Sequence, residues 1–123
     1  MGSPTQNLGL RGEDIAAWYL GKRGFQILAR RFQNRFGEID LIAEDAGQTV
    51  FVEVRVRLNS IRGLPEQTID YGKQKKLKKI IFAYVSLKKI EDFRIDVVTI
   101  SPGSMPKTLN IRHHRAQFGA LDF

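Results

Sequence analysis

The chain has 123 residues, enough for one domain with a few strands and two helices and too few for two independent cores. Its apolar fraction of 42% excludes a disordered chain, and the absence of cysteine excludes disulfides and thiolate zinc sites. Twenty Lys and Arg against thirteen Asp and Glu leave +7 at pH 7, a surplus that draws polyanions through phosphate contacts and counterion release.

The predicted elements begin with a helix over about Gln6 to Arg23. Ile15, Ala16, Tyr19 and Leu20 recur at helical spacing, and Gly24 is its stop. Trp18 on this helix is expected in the core or half-buried. No basic start followed by an apolar stretch opens the chain, so no signal peptide is read. Phe25 to Phe32 reads as a first strand. Phe36 to Glu44 and Thr49 to Leu58 read as two more, separated by the turn composition Asp45-Ala46-Gly47-Gln48. Asn59 to Leu64 is loop, and Pro65 can open a second helix that runs to about Leu87. The longest apolar run, about Ile80 to Leu87, falls short of the roughly 20 residues a membrane helix needs. Arg94 to Ile100 is a strand, and Lys107 to Arg112 a short final one. The order of helix, three strands, helix and one or two strands predicts an α/β fold, a mixed sheet flanked by helices in one domain over 1–123. The protein is expected to be soluble and cytoplasmic, with nucleic acid as its leading partner and no membrane attachment.

The third strand reads Phe51-Val52-Glu53-Val54-Arg55-Val56-Arg57. Alternation puts Val52, Val54 and Val56 on one buried face and Glu53, Arg55 and Arg57 on the other. In the second strand Ile39 and Leu41 are expected to face one way, Glu38 and Asp40 the other. A turn centred on Ala46 and Gly47 sets Asp40 opposite Glu53 and Glu38 opposite Arg55. Facing carboxylates repel, so this pairing does not serve stability. A divalent cation between them removes the penalty, polarises a phosphate and lowers the pKa of an attacking water. The bland alternative is an amphipathic hairpin with a solvated polar face.

Gly37-Glu38-Ile39-Asp40-Leu41-Ile42, followed by Phe51 to Arg57, resembles the YraN-like family of small bacterial proteins. That family is grouped with archaeal Holliday-junction resolvases in the PD-(D/E)XK nuclease superfamily. The resemblance extends to Gly12-Glu13, to Asp70 and Lys73, and to Phe93-Arg94-Ile95-Asp96-Val97-Val98. It implies a restriction-endonuclease-like fold and metal-dependent phosphodiester hydrolysis. Asp40 and Glu53 match the motif's two acids and would bind Mg2+ or Mn2+ with the backbone carbonyl of Val54. Glu13 matches an acid of the first helix that would bind metal directly or through water, or else stabilise an early helical turn. The motif's lysine is replaced by Arg55, which can steady a charged phosphate through its fork of donors but cannot act as a base. Arg55 could instead pair with Glu38. The resemblance also implies a homodimer, because resolvases cut symmetric junctions in pairs.

Lys73 falls on one stripe of the second helix with Ile69, Leu77, Ile80 and Tyr84. It either substitutes for the missing lysine or snorkels at the rim of the core. Lys75, Lys76, Lys78, Lys79, Lys88 and Lys89 make that helix basic, and Arg30, Arg31, Arg35 and Arg112 to Arg115 add charge elsewhere. Lys73, Lys75, Lys76, Lys79, Arg57 and Arg35 are the expected nucleic-acid contacts, sequence-independent and salt-sensitive. Adjacent His113 and His114 point apart in a strand and are not expected to bind metal. Ser60 lies in no nucleophile motif, and Gly9 and Gly12 lack the Lys-Ser/Thr ending of a phosphate loop. Two functions follow: a Mg2+-dependent endonuclease on DNA, branched or structured by preference, or a nucleic-acid-binding module disabled by Arg55. A basic helix docking on an acidic partner is a third.

Overall fold

A computed structural model describes residues 8–57 and 71–119. Helix α1 (Leu8–Lys22) is followed by β1 (Gln26–Asn34), β2 (Gly37–Asp45), β3 (Gln48–Val56), α2 (Tyr71–Lys88), β4 (Phe93–Pro102) and β5 (Leu109–Gly119). The five strands form one sheet in chain order. Neighbours are antiparallel except β3 and β4, which run parallel and are joined through α2. This is the expected α/β architecture, and it is consistent with a restriction-endonuclease-like fold. The expected loop over Asn59 to Leu64 and the helix start at Pro65 lie outside the described residues.

The helices cover opposite faces of the sheet. Ala16, Ala17 and Leu20 of α1 pack on Leu41, Ala43, Val50, Val52, Val98 and Ile100. Leu77, Ile80, Ile81 and Val85 of α2 pack on Ile42, Phe51, Phe93, Ile95 and Val97. A strand covered on both faces needs apolar residues on both, which is why Val97, Val98 and Ile100 are all fully buried. Each such side chain contributes roughly 1.5–3 kcal/mol of burial.

The β2–β3 turn sits where the sequence predicts it. Ala46 and Gly47 have φ of 50° and 86°, the two left-handed positions of a type I′ hairpin. This turn sets the pairs from Asp45 with Gln48 to Leu41 with Val52. On β3 the alternation also holds: Val52, Val54 and Val56 share the α1 side.

Two expectations are corrected. Ile39 does not face the same way as Leu41: it packs in the α2-side core, whereas Leu41 packs in the α1-side core. The cause is a break at Asp40. The pairing of β2 with β3 ends at Leu41, and on β1 Arg31, between the partners of Leu41 and Ile39, adopts φ of 51°. Trp18 is not core but 60% exposed, with the Lys22 ammonium 5.8 Å from its ring. The buried side of α1 is set by Ala16, Ala17 and Leu20, and two residues on from Ala16 turns a side chain to the far side of a helix.

Candidate metal centre

The break in β2 gives Asp40 its position. Where the backbone ladder stops, the Asp40 carboxylate takes over the pairing: the Val54 N–H donates to Asp40 Oδ2 at 2.7 Å. Glu53, the residue before Val54, is buried and turned to the α2 side, where it forms an ion pair with Lys73. Glu13 arrives from the other side. The first turns of α1 lie so close to β3 that a Cβ on Gly12 would stand 2.8 Å from Val56 Cγ2. Glycine therefore permits the approach that brings Glu13 to Asp40.

Glu38 completes the cluster. One carboxylate oxygen from each of Glu13, Glu38 and Asp40 lies within 4.8 Å of the others. Oxygens on opposite sides of a magnesium ion stand about 4.2 Å apart, a spacing of the same order. Two observations are compatible with such an ion. Glu13 Oε2 is buried and accepts no hydrogen bond among the described residues; the Arg31 guanidinium stands 3.5 Å away without hydrogen-bond geometry. The Asp40 carboxyl is pushed up from 3.8 to about 7, by burial first and then by the charge of Glu53, with Glu13 adding to it. The Val54 hydrogen bond and Lys73 pull it down but do not win. Carboxylates gathered this closely and partly buried favour the uptake of a proton or a cation.

Among the described residues, those singled out in the sequence each have a definite place. Glu13 and Glu53 both lie close enough to Asp40 for their charge to act on its carboxyl, and Lys73 of α2 reaches the same place through Glu53. Val54 commits its N–H to Asp40. Arg55 follows on β3, half-buried on the side of Glu53 and level with Thr99 of β4. Lys75, Lys76 and Lys79 are exposed on α2, Arg35 is exposed in the β1–β2 turn, and Arg57 is half-buried just past β3. Asp70 lies outside the described residues.

Sequence reasoning placed Glu38 opposite Arg55 and so did not include it in the acidic cluster. The signal was present, since Glu38 and Asp40 stand two apart on one strand, but the bend that gathers them with Glu13 has no simple sequence mark. Gln33 of β1 donates to Glu38 at 3.1 Å and steadies it.

A second polar group, away from this cluster, is structural. Asp96 is fully buried and takes hydrogen bonds from Arg94 Nε at 2.9 Å and from the Ala116 N–H at 2.8 Å, with His113 Nε2 at 2.7 Å. Arg94 and Arg115 both reach Asp45 at the β2–β3 turn. Burial alone would raise the Asp96 carboxyl, but the bonds from His113, Arg94 and Ala116 outweigh it and hold it below the usual range. The network bridges the irregularity between Ile95 and Val97, which lets β5 run on to Gly119, beyond the short strand expected. As expected, the two histidines part company: His113 meets Asp96 while His114 lies 3.4 Å from Thr99.

The family model described as "Uncharacterised protein family UPF0102" matches residues 12–100. A UPF0102 protein of Thermodesulfovibrio yellowstonii is 45% identical over 95 residues, covering 76% of this chain and 85% of that protein. One of Syntrophus aciditrophicus is 43% identical over 101 residues, with 79% and 80% covered. One of Caldanaerobacter subterraneus subsp. tengcongensis is 38% identical over 111 residues, with 89% and 91% covered.

Proposed function

The chain belongs to the UPF0102 family, the YraN-like, PD-(D/E)XK-like group, and we propose that it is a Mg2+-dependent endonuclease that hydrolyses phosphodiester bonds in DNA. The observation that carries this reading is the gathering of Glu13, Glu38 and Asp40 within 4.8 Å, beside a buried Glu53, on a chain of net charge +7. A basic protein that concentrates acids at one point has a use for them.

In this reading Asp40, Glu53 and Glu13, with Glu38 and the Val54 carbonyl, hold Mg2+ or Mn2+. The bound cation supplies polarisation of the phosphate and a lowered pKa for the attacking water. The protein's own groups do the rest. Asp40 gives up its proton when the ion enters, because the raised carboxyl is ligand only when ionised. Lys73, already at Glu53, and Arg55 on the same side of β3 offer the positive charge that the motif's lysine supplies elsewhere. Lys75, Lys76, Lys79, Arg57 and Arg35 follow the phosphate backbone.

One observation favours a second reading. Lys73 already forms an ion pair with Glu53, so a chain with Arg55 in the lysine position could keep the fold and the basic surface as a DNA-binding module. The test is purified protein on four-way-junction, flap and linear DNA with Mg2+ or Mn2+. The nuclease reading expects cleavage that EDTA stops and Asp40→Ala abolishes, and an increase with Arg55→Lys. Salt-sensitive binding indifferent to EDTA, without cleavage, would establish the binding module.

A further inference from the structure

We propose that the tip of the β1–β2 turn, Phe36 with Arg35, is a stacking platform for an unpaired base of the DNA whose backbone lies at the carboxylate cluster. This inference rests on the nuclease or DNA-binding reading above and assigns a residue contact for the unpaired nucleotides next to duplex at a fork, flap or junction.

Phe36 is an aromatic side chain at the tip of the turn, partly open to solvent. It is 38% exposed and packs with neither of the two cores that flank the sheet. The Arg35 guanidinium stands 4.7 Å from its ring centroid, and Arg35 itself is exposed. An aromatic face next to a planar cation is the pairing that single-stranded nucleic-acid surfaces use, since every base has a π-face and a phosphate.

The turn is held firmly, which a stacking surface requires. Asn34 Oδ1 accepts from the Phe36 N–H at 2.9 Å, and Asn34 Nδ2 donates to the Ile80 carbonyl of α2 at 3.3 Å. Gly37 has φ of 144°, and a Cβ there would come 3.0 Å from Ile80 Cδ1. The turn is therefore seated on α2, the helix that also carries Lys73, Lys75, Lys76 and Lys79.

The placement ties the platform to the acids. Phe36 precedes Glu38 by two residues, a span of at most about 7 Å along an extended chain. The Glu38 carboxylate in turn lies within 4.8 Å of ligand oxygens of Glu13 and Asp40. A strand whose phosphate sits at those acids has its bases within reach of Phe36 only if they are not stacked in continuous duplex. Such a platform favours a splayed end over a closed helix.

The experiment measures binding, not cleavage, with Ca2+ in place of Mg2+. Fluorescence anisotropy is read on a forked DNA and on a blunt duplex of the same length for the wild type, Phe36→Ala, Phe36→Leu and Phe36→Trp. The wild type is expected to bind the fork more tightly. Phe36→Ala and Phe36→Leu are expected to lose roughly tenfold on the fork and little on the duplex, and Phe36→Trp to keep the preference. A 2-aminopurine at the first unpaired position should be quenched by the wild type and not by Phe36→Ala. Equal losses on both DNAs, no loss, or full rescue by leucine would overturn the platform while leaving DNA binding intact. Absence of DNA binding by the wild type would overturn the platform and the functional reading together.

Discussion

Asp40 enters the folded state with a carboxyl at about 7 where an exposed one has 3.8, through burial first and Glu53 next. The folded protein therefore binds a proton that the unfolded chain has released, and stability falls as pH rises between those two values. Above about pH 7 the ionised Asp40 is a standing cost of about 4 kcal/mol. Asp40→Asn keeps an oxygen for the Val54 N–H and removes that cost. In metal-free buffer its Tm should exceed the wild type's at pH 8, with the gap closing by pH 5. A Tm below the wild type's across the range would show that the carboxylate stabilises the fold. Divalent cation should raise the wild-type Tm at pH 8 and leave the variant's unchanged, and calorimetry should find a proton released on binding near pH 6. Asp96 has the opposite sign. Its carboxyl is held below 3.8 because bonds from His113, Arg94 and Ala116 outweigh its burial. That contribution is complete above about pH 4 and is lost as pH falls through the lowered value. Asp96→Asn leaves Arg94 and His113 without their buried charge and should cost about 3 kcal/mol at pH 7. Urea unfolding at pH 7 and pH 3 measures it, and the deficit should shrink at the lower pH.

At the scale of the element, α1 tests how a helix delivers a ligand. Alanine is worth up to about 1 kcal/mol over glycine in a helix interior. A Cβ added at Gly21 would meet nothing within 4 Å, so Gly21→Ala should show that gain. Gly12→Ala should reverse it. Its Cβ would meet Val56 Cγ2 at 2.8 Å, so α1 must lift from β3 at about 1–3 kcal/mol. Glu13 would lift with it, and cation affinity should fall roughly tenfold. Thermal melts and metal titration of the two variants separate helix propensity from close approach; equal gains in both would refute it. The elements themselves were legible because they rest on local rules. The Ala46-Gly47 turn and the Val52-Val54-Val56 alternation were readable from composition and period. The break at Asp40 was not. It depends on Arg31 of β1 in a left-handed conformation, and no periodicity marks that. Ile39 and Glu38 were misplaced for that single reason. Asp96 was hidden differently: its partners His113 and Ala116 are about twenty residues away on β5, and only the fold brings them together.

At the scale of the whole molecule, a chain with a surplus of positive charge gathers several acids at one place. The net charge of +7 coexists with Glu13, Glu38, Asp40 and Glu53 around one spot. Positive charge on the rest of the surface attracts a polyanion, but the acid cluster repels the same phosphates unless a cation sits there. The two interactions respond differently to added ions. Monovalent salt weakens the phosphate contacts of Lys75, Lys76 and Lys79 through counterion release, and the logarithm of the affinity should fall linearly with the logarithm of salt. Each phosphate contact removed should flatten that slope by about 0.9, so Lys75→Ala, Lys76→Ala and Lys79→Ala combined should flatten it by as much as about 2.7. Divalent cation at fixed ionic strength should instead tighten DNA binding by removing the repulsion at the acids. Asp40→Asn, with one charge fewer, should bind DNA more tightly than the wild type in EDTA and gain less from Ca2+. Anisotropy titrations with and without Ca2+ at matched ionic strength decide this. Tightening by Ca2+ that is the same in wild type and variant would mean that the cation acts elsewhere and that the acid cluster does not meet the DNA.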